Sequence, residues 1–389
     1  MTSHLSVFML FIIVILNFTA GSYIFNVAYG EHIFQLLNFV TSMVLFSILY
    51  ITKLFNGSLH KDEFKRILLV FFILIFVLIS WTLNGSEGGF GYFFSLMSPL
   101  IIFLSIFSLI DRLSIDQKRS LIVKLLVVIL FFLLFESISR IFSPVILAKY
   151  IAGAKYESLQ GMMDSDSGGF YIYKILSYLR FDSNGVGVIA FLAFSLSLFL
   201  NSKYDQKALK IISIILFVIV VLSFSRAAIL VSIILIVSFY SIRFLILFSL
   251  LATLFGGSIY GFFFYGGSFD SKFEVFINLI RYLSITDGYD LMLGKGLASD
   301  IFNPWNTGID GVFGHSMIVF LIYYIGLVPL LFYLALIIPL KLNVRFYIFL
   351  CLFFILGFSY LRPFEPFIFI IFPFICYLGK EQENVYESK

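Results

Sequence analysis

The feature that most limits what this chain can become is a succession of apolar runs, each close to the length that crosses a lipid bilayer. A span needs about 20 apolar residues to cross about 30 Å of hydrocarbon. Twelve runs approach that length, at 5–24, 33–54, 67–83, 90–110, 121–142, 186–201, 208–225, 227–243, 244–264, 316–341, 345–359 and 364–378. With 61% hydrophobic and 12% charged residues, the chain lies far from the soluble average of about 45–50% and about 25%. The expected fold is an all-α polytopic membrane protein with about 12 transmembrane helices (11–12), forming one integral membrane domain over residues 1–389.

The first run follows Met-Thr-Ser-His, with no basic residue before it and no small-residue cleavage site behind it. It reads as a retained helix, because a signal peptide wants a basic start and an A-x-A-like end. Cys351 and Cys376 both fall in apolar runs, and His4, His32, His60 and His315 never share metal-ligand spacing. Neither a disulfide framework nor a metal or other cofactor is expected.

The runs on either side of Arg226 admit two readings. One helix over 211–240 would be about 45 Å long, too long for the bilayer and with an arginine in mid-span. A turn at Arg226 places both termini in the cytoplasm and gathers Lys61, Lys65, Arg66, Lys118, Arg119, Lys203 and Lys207 on the inside. The positive-inside bias favours the turn. Two long loops, 143–185 and 265–315, then lie outside. Loops beyond about 12–15 residues are usually functional or disordered, so chemistry is sought in these two.

Arg226, in LSFSRAAIL, is flanked by apolar residues, and intramembrane arginine costs about 2.5–3.5 kcal/mol on insertion scales. It is either a snorkelling residue at a tight turn or an anion ligand, with Ala227 and Ala228 allowing close approach. Arg180, Asp182 and Asn184 stand where the first long loop enters a helix. Asp182, Ser183 and Asn184 suit helix capping, whereas Arg180 beside a helix N-terminus suits a phosphate or diphosphate. Arg281 lies in a segment with helical spacing that can rest on the membrane surface, where solvation on a polar face is the simpler role. Arg362 either pairs with Glu365 in a proline-stiffened turn or joins the other outer arginines, which as a group can grip a diphosphate without a metal. His315 opens an apolar helix, whose dipole favours neutral imidazole. It reads as a cap or as a proton acceptor. Asp164 and Asp166 form a D-x-D that reads as a solvated turn, and Glu136 and Arg140, one helical turn apart, are expected to pair.

The order of these elements resembles a known family. The R-x-D-x-N element (Arg180, Asp182, Asn184), S-R-A-A (Ser225 to Ala228) and a long outer loop with G-x-G (Gly294, Gly296) that ends in His315-Ser316 before an apolar helix resemble the bacterial O-antigen polymerase and ligase superfamily, over roughly residues 170 to 340. The resemblance implies a metal-independent glycosyltransferase with a helical, GT-C-like fold. It also implies that the protein is a multi-pass component of the bacterial inner membrane, with both long loops and the active side periplasmic. By that similarity Arg180, Arg226, Arg281 and Arg362 would hold the diphosphate of an undecaprenyl-linked oligosaccharide, and His315 would assist the acceptor hydroxyl. Ser follows the histidine where Asn is commoner in the ligases, leaving the helper at that position open. The modest outer loops favour the polymerase branch, working with a chain-length regulator protein and membrane lipids and without nucleic acid. A ligase and a lipid-linked oligosaccharide flippase are the alternatives, although the spans are nearly free of the charges a transport path would need.

Overall fold

A computed structural model describes residues 2–20, 31–55, 57–83, 90–142, 183–240, 268–296, 316–338, 342–360 and 364–381. All regular structure among them is helical, and no strand is present. The helices are α1 (Thr2–Ala20), α2 (Glu31–Phe55), α3 (Lys61–Leu83), α4 (Phe90–Arg112), α5 (Ile115–Phe142), α6 (Ser183–Tyr204), α7 (Lys207–Leu222), α8 (Arg226–Tyr240), α9 (Ser268–Ile285), α10 (Gly288–Leu293), α11 (Met317–Phe320), α12 (Leu327–Ile337), α13 (Val344–Tyr360) and α14 (Pro366–Glu381). Gln35–Phe55, Lys61–Leu83, Ile115–Phe142 and Asn184–Tyr204 are each long and apolar enough to cross a membrane. Shorter apolar helices are His4–Thr19, Arg226–Tyr240, Leu327–Ile337, Val344–Gly357 and Pro366–Lys380. The protein is an all-α membrane protein. The apolar run at 244–264 lies outside the described residues.

The helices gather into two compact units that alternate along the chain. The first comprises Met1–Asn56, Ile101–Ile233 and Pro366–Lys389. Its centre is α6, 78% buried over its spanning window, whereas α3 in the second unit is only 22% buried. Small residues along α6 (Gly185, Gly187, Ala190, Ala193, Ser195 and Ser197) let neighbouring backbones come close, as packing in lipid requires. α6 packs on α7, α14 and α5. The pair of α1 and α2 is joined by buried Asn17 and Asn38, whose amides exchange two hydrogen bonds of 3.1 Å. Phe18 of α1 stacks on Phe132 of α5 at 4.4 Å and meets Phe367 of α14 at 4.5 Å.

The second unit comprises Gly57–Leu100 and Ile234–Glu365. Here α3 lies along α12, with Phe72 stacked on Phe332 at 5.2 Å. The apolar run at 316–341, read from sequence as one span, is interrupted. α11 passes into a π-helical turn, Leu321–Ile325, and the chain then kinks at Gly326 before α12 begins. Gly326 has φ 87° and ψ 170°, and Gly294 has φ 75° and ψ 172°, a region essentially restricted to glycine. The two glycines sit against each other's backbone: a Cβ on Gly294 would lie 2.6 Å from the Gly326 nitrogen, and a Cβ on Gly326 would overlap the Met292 carbonyl. Their contact lets the segment after α10 run beside the break, where the Lys295 N–H donates to the Tyr323 carbonyl at 2.7 Å and the Gly296 N–H to Tyr324 at 3.1 Å. Ser80 of α3 adds a hydrogen bond to the Gly294 carbonyl at 3.2 Å.

Replacing Gly294 or Gly326 by Ala combines backbone strain with overlap against main-chain atoms, and is expected to destabilise the protein by more than about 2 kcal/mol. Gly288, with open space around its Cα, provides the control. Thermal unfolding of the detergent-purified protein should show a large loss for Gly294→Ala and Gly326→Ala and none for Gly288→Ala. Equal stability of all three would refute the crossing.

Candidate functional site

The S-R-A-A element lies at the junction of α7 and α8. α7 ends at Leu222, Phe224 takes the left-handed conformation (φ 54°), and α8 starts at Arg226. The single helix over 211–240 therefore does not form. The last four carbonyls of a helix lack intrahelical partners, yet in α7 each is satisfied. The Ser223 N–H reaches Ile219 at 2.9 Å, the Ser223 hydroxyl donates to Val220 at 2.6 Å, and the Phe224 N–H donates to Val221 at 3.0 Å. The Leu222 carbonyl accepts from Nη1 of Arg140 at 3.4 Å.

Arg140 is held in turn by Glu136, Nη2 to Oε1 at 3.2 Å, and both side chains are essentially inaccessible. The intrahelical pair expected from sequence is therefore present. Its second role, tying α5 to the end of α7, has no local signal in the sequence. A cation at a helix C-terminus also complements the macrodipole.

The turn is pressed against the start of α6. Gly187 faces it so closely that a Cβ there would lie 2.7 Å from the Ser225 Cβ, 2.9 Å from the Ser223 hydroxyl and 3.1 Å from the Ala228 Cβ. The residues after Arg180-x-Asp182-x-Asn184 are thereby brought to the S-R-A-A turn, although the two motifs are far apart in sequence. Ser183 is the first helical residue of α6, and Asn184 is half-buried beside it. Arg226 is the first residue of α8, also half-buried. Two helix N-termini and an arginine thus meet in one place. Helix starts present unpaired N–H groups and favour anions.

In the second unit, the segment read as a long loop is helical across α9 and α10. Arg281 on α9 is exposed, among the exposed apolar residues Ile277, Ile280 and Leu283, while Leu279 and Tyr282 are buried. That division suits a helix lying in a membrane interface. Tyr282 meets Tyr323 at 4.9 Å, and its burial pushes the phenol above its ordinary range. Lys295 pairs with Asp290 across one turn. Ser316, at the N-cap of α11, is 4% exposed, and its hydroxyl is buried with no hydrogen-bond partner among the described residues. The neighbouring Met317 is seated by Gly357 and by Tyr333, whose hydroxyl lies 4.0 Å from the Met317 sulfur. The sequence left the role after the histidine open, and the structure places a buried hydroxyl at that position.

Arg180, Asp182, His315 and Arg362, like Asp164 and Asp166, lie outside the described residues. Among the described residues no cluster of His, Cys, Asp or Glu is suited to hold a metal ion. Compared with protein-family models, with curated proteins and with solved structures, the chain matches none.

Removing one member of a buried ion pair strands the other charge at about 3–5 kcal/mol, whereas replacing both by apolar groups is often neutral or stabilising. Thermal unfolding should therefore rank Glu136→Ala far below wild type and Glu136→Leu/Arg140→Met near it. A double variant as unstable as the single one would show that the tie to Leu222, rather than charge pairing, dominates.

Proposed function

We propose that this protein is an O-antigen polymerase: a glycosyltransferase that joins undecaprenyl-diphosphate-linked repeat units at the periplasmic face of the bacterial inner membrane. The observation that carries the reading is the close packing of Gly187 on the Ser223–Ala228 turn. It sets Arg226 at the start of α8 beside the start of α6, an arrangement suited to an anion.

In the proposed reaction the donor is the growing chain on undecaprenyl diphosphate and the acceptor is a single lipid-linked unit. A hydroxyl of the acceptor's terminal sugar attacks the donor's anomeric carbon. A new glycosidic C–O bond forms, and the bond from that carbon to the diphosphate oxygen breaks, its electron pair leaving with the diphosphate. His315 accepts the hydroxyl proton. Arg180 and Arg226, with Arg281 and Arg362, stabilise the charge that grows on the leaving diphosphate. The larger part of the rate enhancement comes from holding two lipid-anchored chains in line. Exposed aromatic residues such as Tyr289 offer rings on which sugars can stack.

Cells lacking the protein should display lipopolysaccharide bearing one repeat unit. Complementation with wild type should restore a ladder, while Arg226→Ala and His315→Ala at equal expression should not. Bare core in the null would assign the protein to ligation or to lipid flipping instead. A full ladder from both variants would remove these residues from the mechanism.

A further inference from the structure

At the opposite end of α6 from Arg226, about 30 Å away along the helix, basic and aromatic side chains converge. The ends of three helices of the first unit supply them. Lys118 and Arg119 come from the first turns of α5, Lys203 and Tyr204 from the last turn of α6, and Tyr377 from the end of α14. Lys118 lies over the Tyr377 ring at 4.6 Å, and Lys203 lies over the same ring at 5.2 Å. The two ammonium groups are therefore no more than about 10 Å apart, within one Debye length at 0.1 M salt. Arg119 caps the Tyr204 ring at 4.8 Å.

Beside this cluster is an open depression of about 420 Å³, lined by Asp116, Arg119, Ser120, Val123, Lys124 and Gln206. Asp116 is the only carboxylate in that lining, against the cations of Arg119 and Lys124 there and of Lys118 and Lys203 around it, while the adjoining Asp205 is paired with Lys210 at 2.7 Å. Like charges gathered at this range repel one another. Half-burial of Lys118, Arg119 and Lys203 deprives them of part of the water that would screen them. The Tyr377 hydroxyl is also buried and lacks a hydrogen-bond partner among the described residues. An excess of partly desolvated cations and an open concavity at the ends of membrane helices together favour a multivalent anion fixed at the membrane surface.

We propose that this cluster binds the phosphate-bearing headgroup of an anionic phospholipid. The phosphate sits among Lys118, Arg119 and Lys203, Lys124 borders the depression, and the acyl chains lie along the apolar flanks of α5 and α7. Exposed Val127 and Phe131 on α5, and Ile211 and Ile214 on α7, form those flanks. The site is independent of the glycosyl-transfer reading.

The test uses full-length protein in nanodiscs, with phosphatidylglycerol titrated into phosphatidylcholine and the midpoint of thermal unfolding as the readout. Wild type should gain stability in a saturable, salt-sensitive way. A surface charge near anionic lipid contributes about 1 kcal/mol, so each lysine removed should weaken the apparent affinity about fivefold. Lys118→Gln/Lys203→Gln should lose the response, and Lys118→Arg/Lys203→Arg should keep it. Exposed Lys124 can be changed to Gln without disturbing packing, and that variant alone should show the fivefold loss. A response equal in Lys124→Gln and in the double Gln variant would overturn the proposal. So would stabilisation by millimolar inorganic phosphate in pure phosphatidylcholine discs, which would assign the cluster to a soluble anion.

Discussion

Hydrocarbon offers no hydrogen-bond partners, so wherever a membrane helix is interrupted the protein itself must satisfy the freed backbone groups. Among the described residues two breaks, after α7 and at Gly326, solve the problem in different ways. Between α7 and α8, a serine hydroxyl, two main-chain N–H groups and the Arg140 guanidinium satisfy the last carbonyls of α7. At Gly326 a second strand of main chain is brought in, and Lys295 and Gly296 donate to the carbonyls of Tyr323 and Tyr324. The first solution needs a buried charge, the second a pair of glycines.

A broken helix exposes fresh N-termini within a packed bundle, and these attract anions without a metal. The turn at Arg226 is stiffened from below by the Glu136–Arg140 pair and from the side by Gly187. That holds the turn carrying Arg226 in close packing, which in the proposed reaction would serve a group that stabilises the leaving diphosphate. Strain accompanies the arrangement: Phe224 is non-glycine and left-handed, a conformation that costs about 1–2 kcal/mol.

Much of this architecture is legible in one dimension. Each apolar run among the described residues corresponds to helix, because twenty apolar residues in water-free surroundings have few alternatives to helix. The turn at Arg226 is legible from charge placement, and the Glu136–Arg140 pair from helical spacing. What the sequence hides is long-range. Gly326 looks like any glycine tolerated in an apolar helix, and only its partner Gly294, within the 265–315 segment, makes it a break. Gly187 likewise reads as one small residue among several until Ser225 is found against it. The buried hydroxyl of Ser316 and the link from Arg140 to Leu222 depend on contacts between helices, which periodicity does not encode.

In the proposed reading the start of α6 and the Arg226 turn together form a metal-independent site for a lipid diphosphate. Native mass spectrometry of the purified protein with undecaprenyl diphosphate, in the presence of a chelator, tests it directly. Losing a charged hydrogen-bond partner costs about 1.5–3 kcal/mol, so wild type should retain the lipid and Arg226→Ala should bind it at least about tenfold more weakly, with Arg226→Lys between them. Equal retention by wild type and Arg226→Ala, or binding that requires a divalent cation, would contradict the account.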